Sequence, residues 1–165
     1  MDLHRVNTIK GNFEKERIKL NFSQEIMDAI EKILHQYGEN GMLHAPYQGK
    51  RDETIPEELF AILQVSNGIS EGMCLPSSGE REEIGWIFYP YEMILEWTTF
   101  YRTNYGIEGV VFSEDGADGV YCLKSNGTVT CFYGVDDEEI PVADTLWDFL
   151  SGHSHIAGEE GNDIC

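Results

Sequence analysis

Residues 119–133 read GVYCLKSNGTVTCFY, two short runs of strand-favouring residues around an Asn-Gly pair. Val, Tyr, Phe and Thr are enriched in β-strands. Asn126-Gly127 suits a type I′ turn, in which both central residues need a positive φ. The stretch therefore predicts a β-hairpin with strands at 119–123 and 128–133.

The two cysteines of this hairpin admit two interpretations. A two-residue loop places Cys122 directly opposite Cys131 at a non-hydrogen-bonded pair, where Cα atoms approach to about 4.5 Å, close enough for a disulfide. The alternative, which we favour, is two reduced thiols packed as small hydrophobes. The four cysteines, at 74, 122, 131 and 165, form no Cys-x-x-Cys pair, so we expect a reducing cytoplasm and no zinc.

Helical and strand patterns flank the hairpin. Apolar residues at helical spacing predict helices at 23–37, 55–66, 90–101 and 143–150. Further strands are predicted at 84–89 and 109–112, whereas 39–54 is predicted to be a connecting loop, 70–83 a polar stretch and 135–141 an acidic turn. We therefore expect an α+β fold, in which a small antiparallel sheet of about four to six strands has helices packed around it.

The length of 165 residues suits one domain with its own core. We expect an N-terminal extension at 1–22, a single domain at 23–151 and a flexible acidic tail at 152–165. The N-terminus lacks the apolar core of a secretory signal, and no run of eighteen apolar residues occurs. The sequence thus favours a soluble, cytoplasmic protein without a membrane anchor.

The net charge of −19 is concentrated after residue 51. Residues 1–51 hold eight Lys and Arg against seven Asp and Glu, a net +1, whereas residues 52–165 hold three against twenty-three, a net −20. Such a field repels phosphate backbones and anionic membrane surfaces. We therefore expect a basic protein partner, with no direct binding of nucleic acid or membrane. The simpler alternative is that the acids only keep the protein soluble.

No common signature of a catalytic or metal site occurs in the sequence. Asp115 and Asp118 could ligate Ca²⁺ or act as an acid–base pair, but they lack EF-hand spacing. We expect instead a turn in which the Asp side chains accept hydrogen bonds from the backbone of the turn itself. His153, His155 and Cys165 match no zinc spacing. We expect no cofactor, no metal and no catalysis. A hydrolase using Asp115, Asp118 or the acids at 136–139 is the alternative, because sequence does not show which carboxylates converge.

Several short motifs follow one another in a fixed order between residues 55 and 150. They are Ile55-Pro56-x-x-Leu59-Phe60-x-x-Leu63 before Asn67-Gly68, Val111-Phe112-x-x-Asp115-Gly116-x-Asp118-Gly119-x-Tyr121, Gly127-x-Val129 to Tyr133, Asp136-Asp137-Glu138-Glu139, and Leu146-Trp147-Asp148-Phe149-Leu150. This order resembles the SUKH superfamily, which includes fungal cell-wall synthesis regulators and bacterial immunity proteins. Ile55 stands where Leu is common, Ile69 replaces a frequent second Gly, and residues 1–50 carry no motif of the superfamily.

The resemblance implies an immunity protein that binds and neutralises a cognate bacterial toxin in the cytoplasm. Nuclease toxins tend to be basic because they bind phosphates, so the acidic segment would attract and block them. A regulatory or scaffolding module of the same fold, without a toxin, is the alternative.

Two groups of acids are the candidate partner-binding residues, and ordinary solvated surface is the alternative for each of them. Four large aromatic side chains are instead assigned to the core, because each lies on a predicted apolar face. The acids are Glu80, Glu82, Glu83, Asp136, Asp137, Glu138 and Glu139, and the aromatics are Trp86, Tyr89, Trp97 and Trp147.

Overall fold

The computed structural model describes residues 24–32, 35 and 41–152. The expected extension at 1–22 and the tail beyond residue 152 lie outside the described residues. The elements are helix α1 at 24–32, β1 (Gly41–Leu43), α2 (Glu57–Leu63), β2 (Ile69–Cys74), β3 (Arg81–Phe88), α3 (Tyr91–Tyr105), β4 (Val110–Glu114), β5 (Gly119–Leu123), β6 (Val129–Tyr133), β7 (Glu138–Ala143) and α4 (Leu146–Gly152).

The strands form two antiparallel sheets, ordered β1-β2-β3 and β4-β5-β6-β7. The sheets are joined where β3 runs beside β4. The Tyr89 amide donates to the Phe112 carbonyl at 2.8 Å, and Ser113 Oγ donates to the Ile87 carbonyl at 2.5 Å. The predicted α+β class is confirmed, with the strands divided between sheets of three and four.

Helices α3 and α4 cover opposite faces of the four-stranded sheet. Phe132 of β6 packs against Tyr101 of α3, with ring centroids 5.8 Å apart. Tyr121 of β5 packs against Phe149 of α4 at 4.6 Å. Because Tyr121 pairs with Cys131, the neighbour of Phe132, the two aromatic contacts lie on opposite faces. The core is therefore built on both sides of this sheet.

Local signals set the ends of α3. Pro90 stands at its N-cap, and Asn67 Oδ1 accepts a hydrogen bond from the Tyr91 amide at 2.8 Å. The helix ends at Gly106, which adopts the left-handed conformation with φ 67°. The predicted start is confirmed, and the helix continues to Tyr105, one turn beyond Tyr101, the last residue of the predicted apolar face.

The predicted hairpin is present with a different register. The Lys124 amide donates to the Thr128 carbonyl at 2.9 Å, so the loop contains residues 125–127. Only Gly127 in this loop has a positive φ, 89°, which is typical of a three-residue loop with a glycine bulge rather than a type I′ turn. Tyr121, not Cys122, therefore pairs with Cys131. The expected pairing of the two cysteines was wrong by one residue.

Three segments that were predicted to be irregular contain strands. The predicted loop at 39–54 contains β1, the polar stretch at 70–83 contains β2 and the start of β3, and the acidic turn at 135–141 runs into β7. Strand β1 has only three residues, β2 mixes Ser, Glu and Gly with its apolar residues, and the start of β3 and most of β7 are exposed. None of them therefore has the apolar pattern that marks a strand in sequence. In the described part of the chain, no helix has the length and apolarity needed to cross a membrane.

Candidate protein-binding surface

The acids predicted to bind a partner lie mainly at one end of the joined sheets. Gly85 of β3 lies beside Glu114 of β4, while Ile87 and Tyr89 bond to Ser113 and Phe112. These contacts make β3 antiparallel to β4. The starts of β3, β5 and β7 and the ends of β4 and β6 therefore share one end of the sheets.

Nine carboxylates lie at that end, and we call this set the acidic end. It brings together six of the seven predicted residues, from β3 on one side and from the β6–β7 turn on the other. Three further acids, from the end of β4 and the β4–β5 turn, lie between the two groups. The set comprises Glu80, Glu82, Glu83, Glu114, Asp115, Asp118, Asp136, Asp137 and Glu138.

The β4–β5 turn uses its acids to hold backbone. Asp115 Oδ1 accepts hydrogen bonds from the Ala117 and Gly119 amides, each at 2.9 Å, which confirms the predicted Asp-Gly turn. Asp118 Oδ2 accepts from the Val135 amide at 3.1 Å, so it ties this turn to the β6–β7 turn. Among the residues described, no three His, Cys, Asp or Glu side chains are grouped so that they could hold a metal ion.

The β6–β7 turn projects its acids into solvent. Asp136, Asp137 and Glu138 are exposed, and Asp137 has a left-handed backbone with φ 49°, a conformation that Asp tolerates better than most residues. Glu139 differs, because its Oε1 lies 2.5 Å from Lys124 Nζ and accepts a hydrogen bond from Thr130 Oγ1 at 3.1 Å. Its charge is neutralised within the chain, so Glu139 is less available for binding a partner than the other three acids are.

The β3 acids are exposed, but one of them has an internal partner. Glu83 Oε1 lies 3.0 Å from His44 Nε2, which is also 2.8 Å from Ser70 Oγ. The His44 ring packs on Trp86 with centroids 5.1 Å apart. This cluster was not predicted, because His44 and Ser70 approach only through the pairing of β1 with β2, and neither strand has a sequence signal.

Glu114 is fixed from inside the fold. Tyr89 Oη donates to Glu114 Oε2 at 2.6 Å, and Tyr89 is 1% exposed. Burial, followed by this hydrogen bond, raises the pKa of Tyr89 well above its usual value. The assignment of Tyr89 to the core is confirmed, while Trp86, Trp97 and Trp147 are partly buried against the core.

Helix α3 carries an aromatic cluster that the sequence reading missed. Phe100 and Tyr105 are 43% and 41% exposed, and they lie beside the half-buried Trp97 and Tyr101. The apolar pattern of this helix runs through Trp97 and Tyr101, whereas Phe100 and Tyr105 lie outside that pattern. We call Trp97, Phe100, Tyr101 and Tyr105 the aromatic surface.

Comparison with known families gives a match over most of the chain. The model of the family described as SMI1 / KNR4 family (SUKH-1) matches residues 46–152. No curated protein and no solved structure matches the chain. The matched range runs from just after β1 to the end of α4, and so contains the whole acidic end.

Proposed function

From the premise that the chain belongs to the SMI1/KNR4 (SUKH-1) family, we propose that it is a non-catalytic protein-binding domain. Its partner is a cognate toxin with a basic surface, of which a nuclease is the best fit. The domain acts as an immunity protein that neutralises this toxin by binding it. The observation that carries the proposal is the gathering of nine carboxylates at one end of the sheets.

Charge is the main support for a basic partner. Residues 41–152 contain five Lys and Arg against twenty Asp and Glu, a net charge of −15. Two of these five cations already serve the chain itself, since Lys124 pairs with Glu139 and Arg51 donates to the Ile55 carbonyl. A field of this sign raises the association rate with a basic protein by roughly 10- to 1,000-fold. Bound at a phosphate-binding cleft, the domain would exclude the nucleic-acid substrate.

The contacts of the central carboxylates support binding over hydrolysis. Asp115 and Asp118 accept hydrogen bonds from backbone amides of their own and the neighbouring turn. Glu114 accepts from Tyr89. These hydrogen bonds give the three carboxylates a structural role in holding the turns, which is what a binding domain requires of them.

A regulatory or scaffolding module is the second candidate, because the SUKH superfamily includes fungal cell-wall synthesis regulators as well as immunity proteins. A partner in regulation is expected to bind more weakly and with less dependence on salt than a toxin does. Salt dependence and the effect on the partner's own activity therefore separate the two functions.

The test is affinity capture from the source cell's lysate at about 50 mM and about 500 mM NaCl. Three baits are compared: the unmodified protein, the triple variant Asp136→Asn, Asp137→Asn, Glu138→Gln, and a control triple variant. The control, Glu53→Gln, Glu108→Gln, Asp144→Asn, removes three exposed acids outside the acidic end. It changes the net charge by the same amount.

The proposal predicts capture of a basic protein at low salt by the unmodified and control baits, with several-fold less on the first triple variant. The captured protein's own activity, nuclease activity foremost, is expected to be lost in the complex and to return at high salt. Capture that is insensitive to salt and to the acidic end would overturn the toxin-binding function. So would a basic partner that keeps its full activity when bound.

A further inference from the structure

The outward side of α3 presents aromatic rings to solvent. The helix buries Tyr91, Ile94 and Thr98. Phe100 lies off that buried stripe and is 43% exposed. Single exposed apolar residues are common on proteins, so Phe100 alone would carry no argument. Its neighbours decide whether Phe100 belongs to a larger surface.

The exposed rings belong to one continuous cluster. The Phe100 centroid lies 5.4 Å from Trp97, 5.3 Å from Tyr101 and 6.4 Å from Tyr105. Tyr101 and Tyr105 stack at 5.6 Å. Both also contact Phe132 of β6, at 5.8 and 5.1 Å, so the aromatic surface is held on the sheet. Rings fixed in this way lose little conformational entropy when a partner binds.

The aromatic surface continues into the β6–β7 turn. The Tyr105 hydroxyl lies beside Gly134, since a Cβ atom built on Gly134 would be 3.4 Å from Tyr105 Oη. The next residue, Val135, is 82% exposed, and its amide is held by Asp118. Asp136 follows directly. The aromatic surface and the acidic end are therefore neighbours on the protein.

Negative charge borders the aromatic surface on more than one side. Burial, and then the neighbouring Tyr105 and the Asp118 carboxylate, raise the pKa of the Tyr101 hydroxyl. Glu96 is exposed one helical turn before Phe100. Arg102 is the one cation of α3 and lies in the last turn, where the helix carbonyls favour it.

We propose that the aromatic surface is the docking site for an arginine-bearing segment of the basic protein partner. Aromatic faces are electronegative and attract cations, and the bordering acids add a second attraction of the same sign. A guanidinium group is planar and weakly hydrated, so it stacks on Phe100 and Tyr105 better than a lysine ammonium does. The inference rests on the proposed function for the class of partner and adds the face and the chemistry of recognition.

The test uses a defined probe, the acetylated and amidated peptide Arg-Gly-Arg-Gly-Arg, with its Lys counterpart as a matched control. Binding is followed by NMR through the ring signals of Phe100, Tyr101 and Tyr105. Three variants are compared: Phe100→Ala, Phe100→Leu, which keeps apolar area without a ring, and Leu43→Ala, which removes a side chain 48% exposed on β1. Circular dichroism checks that each variant folds.

The Arg peptide is expected to shift these ring signals and to bind more tightly than the Lys peptide. Both Phe100 variants are expected to bind the Arg peptide about three- to fivefold more weakly, and Leu43→Ala should bind as the unmodified protein does. Equal binding of the two peptides, or unchanged binding by Phe100→Leu, would overturn the docking site.

The capture experiment separates this inference from the proposed function. If a basic toxin is captured and inhibited equally by the unmodified protein and by Phe100→Ala, the docking site is wrong and the function stands. If the Arg peptide binds in a Phe100-dependent way and no basic toxin is captured, the immunity function is wrong and the docking site stands.

Discussion

Tyr121 and Cys131 face each other across β5 and β6, so the thiols of Cys122 and Cys131 lie on opposite faces of the sheet. The hairpin loop has three residues instead of the expected two, and the resulting shift of one residue in the pairing produces this arrangement. Tyr121 packs towards α4, whereas Cys122 lies on the side of α3. Both thiols are free and buried.

The separation of the thiols predicts that Cys122 and Cys131 do not form a disulfide in the folded protein. Side chains that leave a sheet on opposite faces cannot reach the S–S geometry without refolding of the hairpin. Oxidation of the native protein with diamide, followed by peptide mass spectrometry, is expected to yield no 122–131 crosslink. The same oxidation after denaturation in urea is the positive control. A crosslink formed at native conditions would contradict the register.

Burial of the Cys122 thiol predicts that stability falls at alkaline pH. Burial raises its pKa from 9.0 to about 12. Below pH 9 the thiol is protonated in both the folded and the unfolded protein. Above pH 9 the unfolded chain loses this proton while the folded protein keeps it. The free energy of unfolding therefore decreases with pH until about pH 12. One proton corresponds to a slope of at most about 1.4 kcal/mol per pH unit.

Urea unfolding of the unmodified protein and of Cys122→Ala, measured between pH 8 and 10, tests this slope. The variant is expected to lose less stability over that range. Burial raises the pKa of Cys131 with the same sign, so some slope is retained. Equal slopes for the two proteins would mean that the Cys122 thiol is not protected from ionisation.

Gly68 is predicted to be intolerant of any side chain. Its φ is 87°, and a Cβ atom there would lie 2.8 Å from the Trp86 ring and 2.9 Å from the Pro90 nitrogen. Gly68→Ala is expected to lower the free energy of unfolding by about 3 kcal/mol, from the left-handed conformation and the overpacking together. Gly79→Ala is the matched control, since Gly79 has φ 71° with nothing near its Cβ position. Its expected cost is about 1 to 2 kcal/mol, and a cost equal to that of Gly68→Ala would contradict the packing argument.

Asn67 is predicted to stabilise α3 through its side-chain oxygen. Oδ1 accepts from the Tyr91 amide, one of the unpaired donors at the start of the helix. Asn67→Ala is expected to cost about 1 kcal/mol in urea unfolding. Asn67→Asp keeps the oxygen and adds a charge that the helix N-terminus favours, so it should cost much less. A loss of the same size in both variants would assign the effect to another contact of Asn67.

Elements with strong local signals were predictable from the sequence. The strand at Gly119–Leu123 was predicted with its observed bounds, and Pro90 correctly marked the start of α3. The Asn-Gly pair correctly placed a turn, but it fits two loop types, and only the observed φ values distinguish them. Strands β1, β2 and β7 were missed because backbone pairing, rather than an apolar pattern, makes them strands.

The candidate site was only partly predictable, because charge is visible in the sequence but the contacts between strands are not. Charge counting identified the acids at 80–83 and 136–138 as candidates, but their presence at one end of the sheets follows from the contact of β3 with β4. The neutralisation of Glu139 by Lys124 depends on the hairpin register and was not foreseen. The aromatic surface combines a helix with a distant turn, and no local pattern reports that combination.

Strand β7 is the outermost of its sheet among the strands described, and its composition limits how another chain can approach it. An open strand edge is a template for intermolecular pairing and aggregation. Glu138 places charge on this edge, and Pro141 lacks the amide hydrogen that a further strand would need. A partner is therefore directed away from β-augmentation of this sheet and towards recognition by side chains, and the protein is protected from fibril-like self-association along β7.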